Sequence, residues 1–138
     1  LDSRFWVKLG SQDSLTNDPW PINPCFQPPE LVLRQSYGMQ GDMWTLGILM
    51  CIFLAGTTPF FDTNSLRHSK KVRECNLSHF LPILPSEEAR GLVAQLLTAK
   101  AGERTVATAA LDHPWFKATT ATQLCVHDRL RAVLDYLY

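Results

Sequence analysis

The stretch Gln40-Gly41-Asp42-Met43-Trp44-Thr45-Leu46-Gly47-Ile48-Leu49-Met50-Cys51-Ile52-Phe53-Leu54 has a single charged residue, Asp42, and is apolar all the way round a helical turn. An amphipathic surface helix has a polar face, whereas a helix apolar on all sides belongs at the centre of a domain. The run predicts a buried helix over residues 40–54. Its apolar part, residues 43–55, is interrupted by Thr45 and is too short to cross a membrane. Gly56-Thr57-Thr58-Pro59 stops it, since Pro cannot continue a helix and Gly accepts the left-handed conformation that ends one.

Outward from this rod, helices dominate the C-terminal side. Thr63 and Asn64 are both suitable caps for a helix carrying Arg67, Lys70, Lys71 and Arg73. Ser86-Glu87-Glu88-Ala89 places a capping hydroxyl and two acidic residues where a helix begins. Ala89, Leu92, Val93, Leu96 and Leu97 then recur at helical spacing and define one apolar stripe. A short helix is expected over residues 106–111, before His113-Pro114. Another is expected over 124–137, where Leu130, Val133, Leu134 and Leu137 share a face. On the N-terminal side, residues 30–34 could form one helical turn. Residues 10–29 contain Pro19, Pro21, Pro24, Pro28 and Pro29 and read as an irregular loop. Leu1 to Leu9 reads as a turn and a short strand without lead-in, which predicts a piece of a longer chain. After residue 30 no strand is expected, and the class is mainly α.

Several short patterns together resemble the large, C-terminal lobe of the protein kinase family. Pro28-Pro29-Glu30 is similar to the Ala-Pro-Glu that closes a kinase activation segment. Asp42-Met43-Trp44-Thr45-Leu46-Gly47 is similar to the Asp-x-Trp-x-x-Gly of the central helix, and Gly56-Thr57-Thr58-Pro59-Phe60 to the Gly-x-x-Pro-Phe after it. Arg104 stands where the family has an Arg, and His113-Pro114-Trp115-Phe116 resembles the His-Pro-Trp-Phe near the domain end. Five patterns in register make the resemblance specific, and the Gly-x-x-Pro-Phe and His-Pro-Trp-Phe pair most resembles Ser/Thr kinases of the calmodulin-dependent kind.

The resemblance implies a partial kinase domain over residues 1–117, from the activation segment onward and without the small lobe, and a helical extension over 118–138. It implies a buried ion pair between Glu30 and Arg104, for which the planar guanidinium fork suits a carboxylate. It casts Asp42 as the brace beneath the catalytic loop; as a residue heading a helix, Asp42 also reads as a plain cap. Asn23, Pro24, Cys25 and Phe26 fall in the substrate-facing part of the activation segment.

Phosphoryl transfer needs positioned phosphates, Mg²⁺ and a base. The Gly-rich loop, strand Lys and catalytic loop of kinases would precede Leu1. The Asp-Phe-Gly metal motif would follow Val7-Lys8-Leu9, and there the chain reads Ser11-Gln12-Asp13. Ser11 has no carboxylate at the Mg²⁺-binding position, and hard cations prefer anionic oxygen; Asp13 is displaced by two residues. Active Ser/Thr kinases carry Gly-Thr-x-x-Tyr-x-Ala-Pro-Glu where this chain has Ile22-Asn23-Pro24-Cys25-Phe26-Gln27-Pro28-Pro29-Glu30. An intact frame with altered polar groups implies a pseudokinase that meets protein partners or regulates a kinase, non-catalytic in this chain. The alternative is the peptide-substrate-binding half of an active Ser/Thr kinase, which alone would need ATP and Mg²⁺. Ser11, Ser14 and Thr16 are candidate phosphate acceptors.

Composition narrows the partners. Hydrophobic residues make up 46% of the 138 residues, as in a globular chain, and 13 basic residues balance 13 acidic ones. Neutrality removes the bulk electrostatic case for nucleic acid or an anionic membrane. Cys25, Cys51, Cys75 and Cys125 form no close pair, His68, His79, His113 and His127 have no metal spacing, and no signal peptide is visible. Reduced thiols in the cytoplasm or nucleus are expected. The basic run Arg67 to Arg73 reads as a solvated helix face, with an acidic partner as the alternative. Without a preceding helix, part of the apolar rod would be uncovered, so self-association of the isolated chain is expected.

Overall fold

The computed structural model describes residues 23–117. The strand expected near the N-terminus, Ser11, Ser14, Thr16 and the helix expected over 124–137 lie outside these residues. Five α-helices follow in order: α1 (Pro29–Val32), α2 (Met39–Ala55), α3 (Ser65–Glu74), α4 (Glu87–Leu96) and α5 (Ala107–Leu111). Short 3-10 turns lie at Pro24–Phe26, Leu81–Ile83, Ala101–Glu103 and Pro114–Phe116. Among the described residues there is no strand, and no helix is long and apolar enough to cross a membrane.

The central rod, α2, runs one residue further at each end than the apolar run predicts. Trp44, Ile48, Met50 and Cys51 are fully buried along it. Its C-terminus ends on Gly56 in the left-handed region (φ 72°), whose N–H returns to the Ile52 carbonyl. At its N-terminus the cap position belongs to Gly38, with no side-chain cap bond, and Asp42 sits inside the first turn. Asp42 is therefore not a plain cap: the helix starts three residues upstream of it. The rod's two ends are its uncovered parts, with Met39 83% and Phe53 52% exposed.

Local chemistry sets the other helix starts. The Asn64 side chain accepts the Leu66 and Arg67 N–H groups and opens α3, so Asn64 rather than Thr63 is the cap. Lys71 and Arg73 occupy its last turn, where the helix dipole favours cations. Ser86 accepts the Ala89 N–H to open α4, with Glu87 and Glu88 in the first turn. The helix expected over 106–111 begins one residue later, Val106 being its cap position. The expected loop ending at Pro29 is ordered at its close: Asn23 accepts the Cys25 N–H and starts the 3-10 turn Pro24–Phe26.

The stripe read from sequence on α4 packs on α2, with Ala89, Leu92, Val93, Leu96 and Leu97 all buried. Gly47 makes this close approach possible. A Cβ there would lie 2.7 Å from Leu97 Cδ2, 2.9 Å from Leu97 Cγ and 3.0 Å from Leu96 Cβ. Replacing a helical Gly by Ala ordinarily gains about 0.5–1 kcal/mol, whereas overfilling a packed core costs about 1–3 kcal/mol. Leu96 and Leu97 are both buried and have nowhere to retreat. Gly47→Ala is therefore expected to destabilise the chain by about 1 kcal/mol in urea unfolding.

Candidate functional site

Residues 23–30 approach the helical body as an extended segment with one turn in it, and two polar contacts, one partly buried and one buried, fix its ends. At the C-terminal end, Arg104 Nη1 donates to Glu30 Oε1 at 2.8 Å and Nη2 to Oε2 at 2.9 Å, a bidentate pair across 74 positions of sequence. The two side chains are almost wholly removed from water. Arg104 does more than neutralise Glu30. Its Nε donates to the Thr98 carbonyl at 3.0 Å, Nη1 also reaches the Gln40 carbonyl, and the guanidinium lies 5.2 Å from the centre of the Trp44 ring. The one side chain thus ties α1 to the start of α2 and to the chain leaving α4. Burying a guanidinium is tolerable only when its donors are used, and here all three nitrogens are.

At the N-terminal end, the imidazole of His68 on α3 lies between the Pro24 and Phe60 carbonyls, 2.9 Å from each. Sequence reasoning missed this contact because His68 stands in a basic run. Its signal was the position of Val72 four residues on: His68 and Val72 are the buried residues of an otherwise solvated helix. Lys71 on the outer side pairs with Asp62 at 3.1 Å, and Lys70 with Glu74. Between the two anchors Asn23 and Pro24 are exposed, and Cys25 and Phe26 half-buried, so the turn offers an accessible edge.

Asp42 meets Tyr37, whose hydroxyl donates to Oδ1 at 2.7 Å. The Tyr37 ring lies over Gly41, where a Cβ would be 2.1 Å from Cε2. Burial pushes the Asp42 carboxyl above its ordinary value, against the opposing effect of the Tyr37 bond; burial, then the Asp42 bond, pushes the Tyr37 hydroxyl up as well. A carboxyl raised in the folded state favours folding most when protonated. Its contribution is complete below the ordinary carboxylate value and is lost as pH rises through the raised one. Asp42→Asn removes this loss. The unfolding free energy of the variant relative to the unsubstituted chain is expected to rise with pH through that window, as read by urea unfolding at a series of pH values.

His113, Cys51 and Cys75 have structural places. His113 Nδ1 accepts the Trp115 N–H at 3.2 Å and caps the last 3-10 turn. Burial pushes its pKa down, in keeping with a neutral acceptor ring. Cys51 is buried in the core and its thiol is pushed up to about 12 by burial; Cys75 donates its thiol proton to the Leu97 carbonyl. Among the described residues no three His, Cys, Asp or Glu side chains come together as metal ligands. Ser11-Gln12-Asp13, to which the Mg²⁺ question is directed, lies outside them.

Comparison with known proteins agrees with this architecture. Residues 11–116 match the protein kinase domain family. The chain is 35% identical over 101 residues to serine/threonine-protein kinase H1 of Mus musculus, covering 72% of this chain and 24% of that protein. It is 34% identical over 113 residues to calcium-dependent protein kinase 21 of Oryza sativa subsp. japonica, covering 80% and 20%. With the CaM kinase-like vesicle-associated protein of Takifugu rubripes it shares 31% identity over 137 residues, covering 90% and 32%. The chain thus spans about a fifth to a third of the length of these relatives. Among solved structures, the Rad53 kinase domain with SCD2 and AMPPNP superposes with a TM-score of 0.62 at 29% identity, covering 70% of this chain and 40% of that one. The mainly helical, kinase-type fold expected from sequence is the fold of the described residues.

Proposed function

Because the chain belongs to the protein kinase family, we propose that it is the C-terminal lobe of a kinase-like domain, non-catalytic in itself, presenting residues 23–27 and the neighbouring surface to protein partners. The observation that carries this reading is the Glu30–Arg104 bridge. It holds the close of the activation-type segment on the body by two charge-assisted bonds. A frame kept this intact supports a role in presentation. Ser11-Gln12-Asp13, which puts no carboxylate at the first position of the metal motif, supports a pseudokinase-type role. Ser14 and Thr16 are the phosphate acceptors of this reading. Partners are proteins rather than nucleic acid or membranes, since the chain is electrically neutral overall, and four cysteines with no close pair in sequence favour the cytoplasm or nucleus. Residues 118–138 follow the lobe in sequence, and the exposed Met39 and Phe53 favour self-association of the chain when isolated.

The competing reading is the substrate-binding half of an active Ser/Thr kinase whose ATP-binding half lies upstream. It is favoured by two relatives named as kinases, serine/threonine-protein kinase H1 and calcium-dependent protein kinase 21, which are about four to five times as long as the shared region. A thermal-shift titration of the full-length protein with ATP and Mg²⁺ separates the two. The pseudokinase reading expects no Mg²⁺-dependent stabilisation, and a saturable Mg²⁺-dependent rise in melting temperature overturns it.

A further inference from the structure

His68 is 5% exposed, and each of its ring nitrogens lies 2.9 Å from a backbone carbonyl oxygen: Nδ1 from Phe60 and Nε2 from Pro24. A carbonyl oxygen can only accept. A neutral imidazole has one N–H and one lone pair, so in either tautomer one of the two contacts would set a nitrogen lone pair against an oxygen lone pair at hydrogen-bond distance. The imidazolium donates at both nitrogens, and it is the form that satisfies this geometry. His113 provides the contrast within the same chain, since its Nδ1 faces a donor, the Trp115 N–H.

We propose that His68 is a proton-dependent clamp: doubly protonated, it fastens the Pro24–Phe26 turn to α3 and to the chain at Phe60, and loss of one proton releases the turn. The bond released is the one to Pro24. The Phe60 contact spans eight positions and is buried, whereas the Pro24 contact spans 44 positions and is only partly buried, so water can replace it. The proton then stays on Nδ1, and the Nε2 lone pair faces the Pro24 oxygen. The charged and titratable groups on the elements around the ring are otherwise engaged or outward. On α3, Arg67 is exposed, Lys71 pairs with Asp62 of the preceding loop, Lys70 pairs with Glu74, and Arg73 donates to the Ser69 carbonyl. On the turn there is the Cys25 thiol, and on α1 there is Glu30, held by Arg104. Among the described residues no acidic side chain bonds the ring, and its two hydrogen-bonding partners are the Phe60 and Pro24 carbonyls. The consequence for partners rests on the reading of residues 23–27 as a presenting segment; the clamp itself does not.

The test is a pH series on the full chain, between about pH 5 and 9, in which the ring nitrogens of labelled His68 and the amide protection of residues 25–27 are followed together by NMR. Both ring nitrogens are expected to carry protons wherever the turn amides are protected. Protection factors at Cys25, Phe26 and Gln27 are expected to fall about tenfold as His68 loses a proton, with those of α4 unchanged. A neutral single-tautomer His68 coexisting with full protection of the turn overturns the proposal. His68→Gln, which retains an amide donor but does not titrate, is expected to abolish the pH dependence at residues 25–27; persistence of that dependence also overturns it. Should the variant not fold, the ring spectrum of the unsubstituted chain decides. A failure of partner binding leaves these readouts untouched, so the clamp and the presenting role fail separately.

Discussion

Glu30→Gln and Arg104→Met are each expected to lower the unfolding free energy by about 3–5 kcal/mol, the range for removing one partner of a buried ion pair. The cause is what each substitution leaves behind more than what it removes. Glu30→Gln leaves a guanidinium with almost no exposed surface facing a neutral amide. Arg104→Met leaves the Glu30 carboxylate unpaired and also strips the Thr98 and Gln40 carbonyls of their donor, so it should be the worse of the two. The two sites are one unit. In the double variant Glu30→Leu with Arg104→Met no buried charge is left alone, and its cost is expected to be less than the sum of the single ones by about 1–3 kcal/mol. Urea unfolding followed by tryptophan fluorescence measures all four corners of this cycle. Additive costs would show that the two side chains do not act as a buried pair.

How far the sequence disclosed this arrangement depends on the kind of signal each residue carries. Local rules reached the helices. An all-round apolar run marked α2, Asn64 and Ser86 marked the starts of α3 and α4, and the i, i+3, i+4 stripe on α4 became its buried face. Boundaries moved by a residue or so because helix ends are set by cap geometry, which periodicity does not see. The meeting of Glu30 with Arg104 was legible only through the motif resemblance: nothing in the spacing of two charges 74 positions apart implies contact. Tyr37–Asp42 was not legible at all, and for His68–Pro24 only the inward position of His68, four residues before Val72, could be read and not its partner. In both, a side chain on one element is matched to a group whose position depends on how a loop returns to the body, and that return is a tertiary event. The Asn23-Pro24 pair did carry a usable turn signal, since Asn accepts its own backbone two residues on and Pro presets the first turn position.

Trp44→Ala is expected to cost about 3–5 kcal/mol, as large as any single truncation in this core. Trp44 is fully buried on the rod, stacks on Phe60 with ring centres 5.4 Å apart and planes 12° from parallel, and carries the Arg104 guanidinium on its ring. Truncation therefore acts in three ways. It opens a cavity beside α2, leaves Phe60 without its stacking partner, and removes the aromatic face against which Arg104 is oriented toward Glu30. Trp44→Phe separates these effects. It keeps a ring for Phe60 and for the guanidinium, and the indole N–H it deletes has no acceptor among the described residues. No bond is lost with it, so the cost is expected to be about 1 kcal/mol, confined to the volume removed. The alanine variant should also weaken the bridge itself, so that adding Glu30→Gln to Trp44→Ala costs less than Glu30→Gln alone, while adding it to Trp44→Phe costs nearly the same. Urea unfolding of the five variants, followed by far-ultraviolet circular dichroism because a tryptophan is removed, reads the difference. Equal costs of Glu30→Gln in all three backgrounds would show that the aromatic ring fills space beside the ion pair without orienting it.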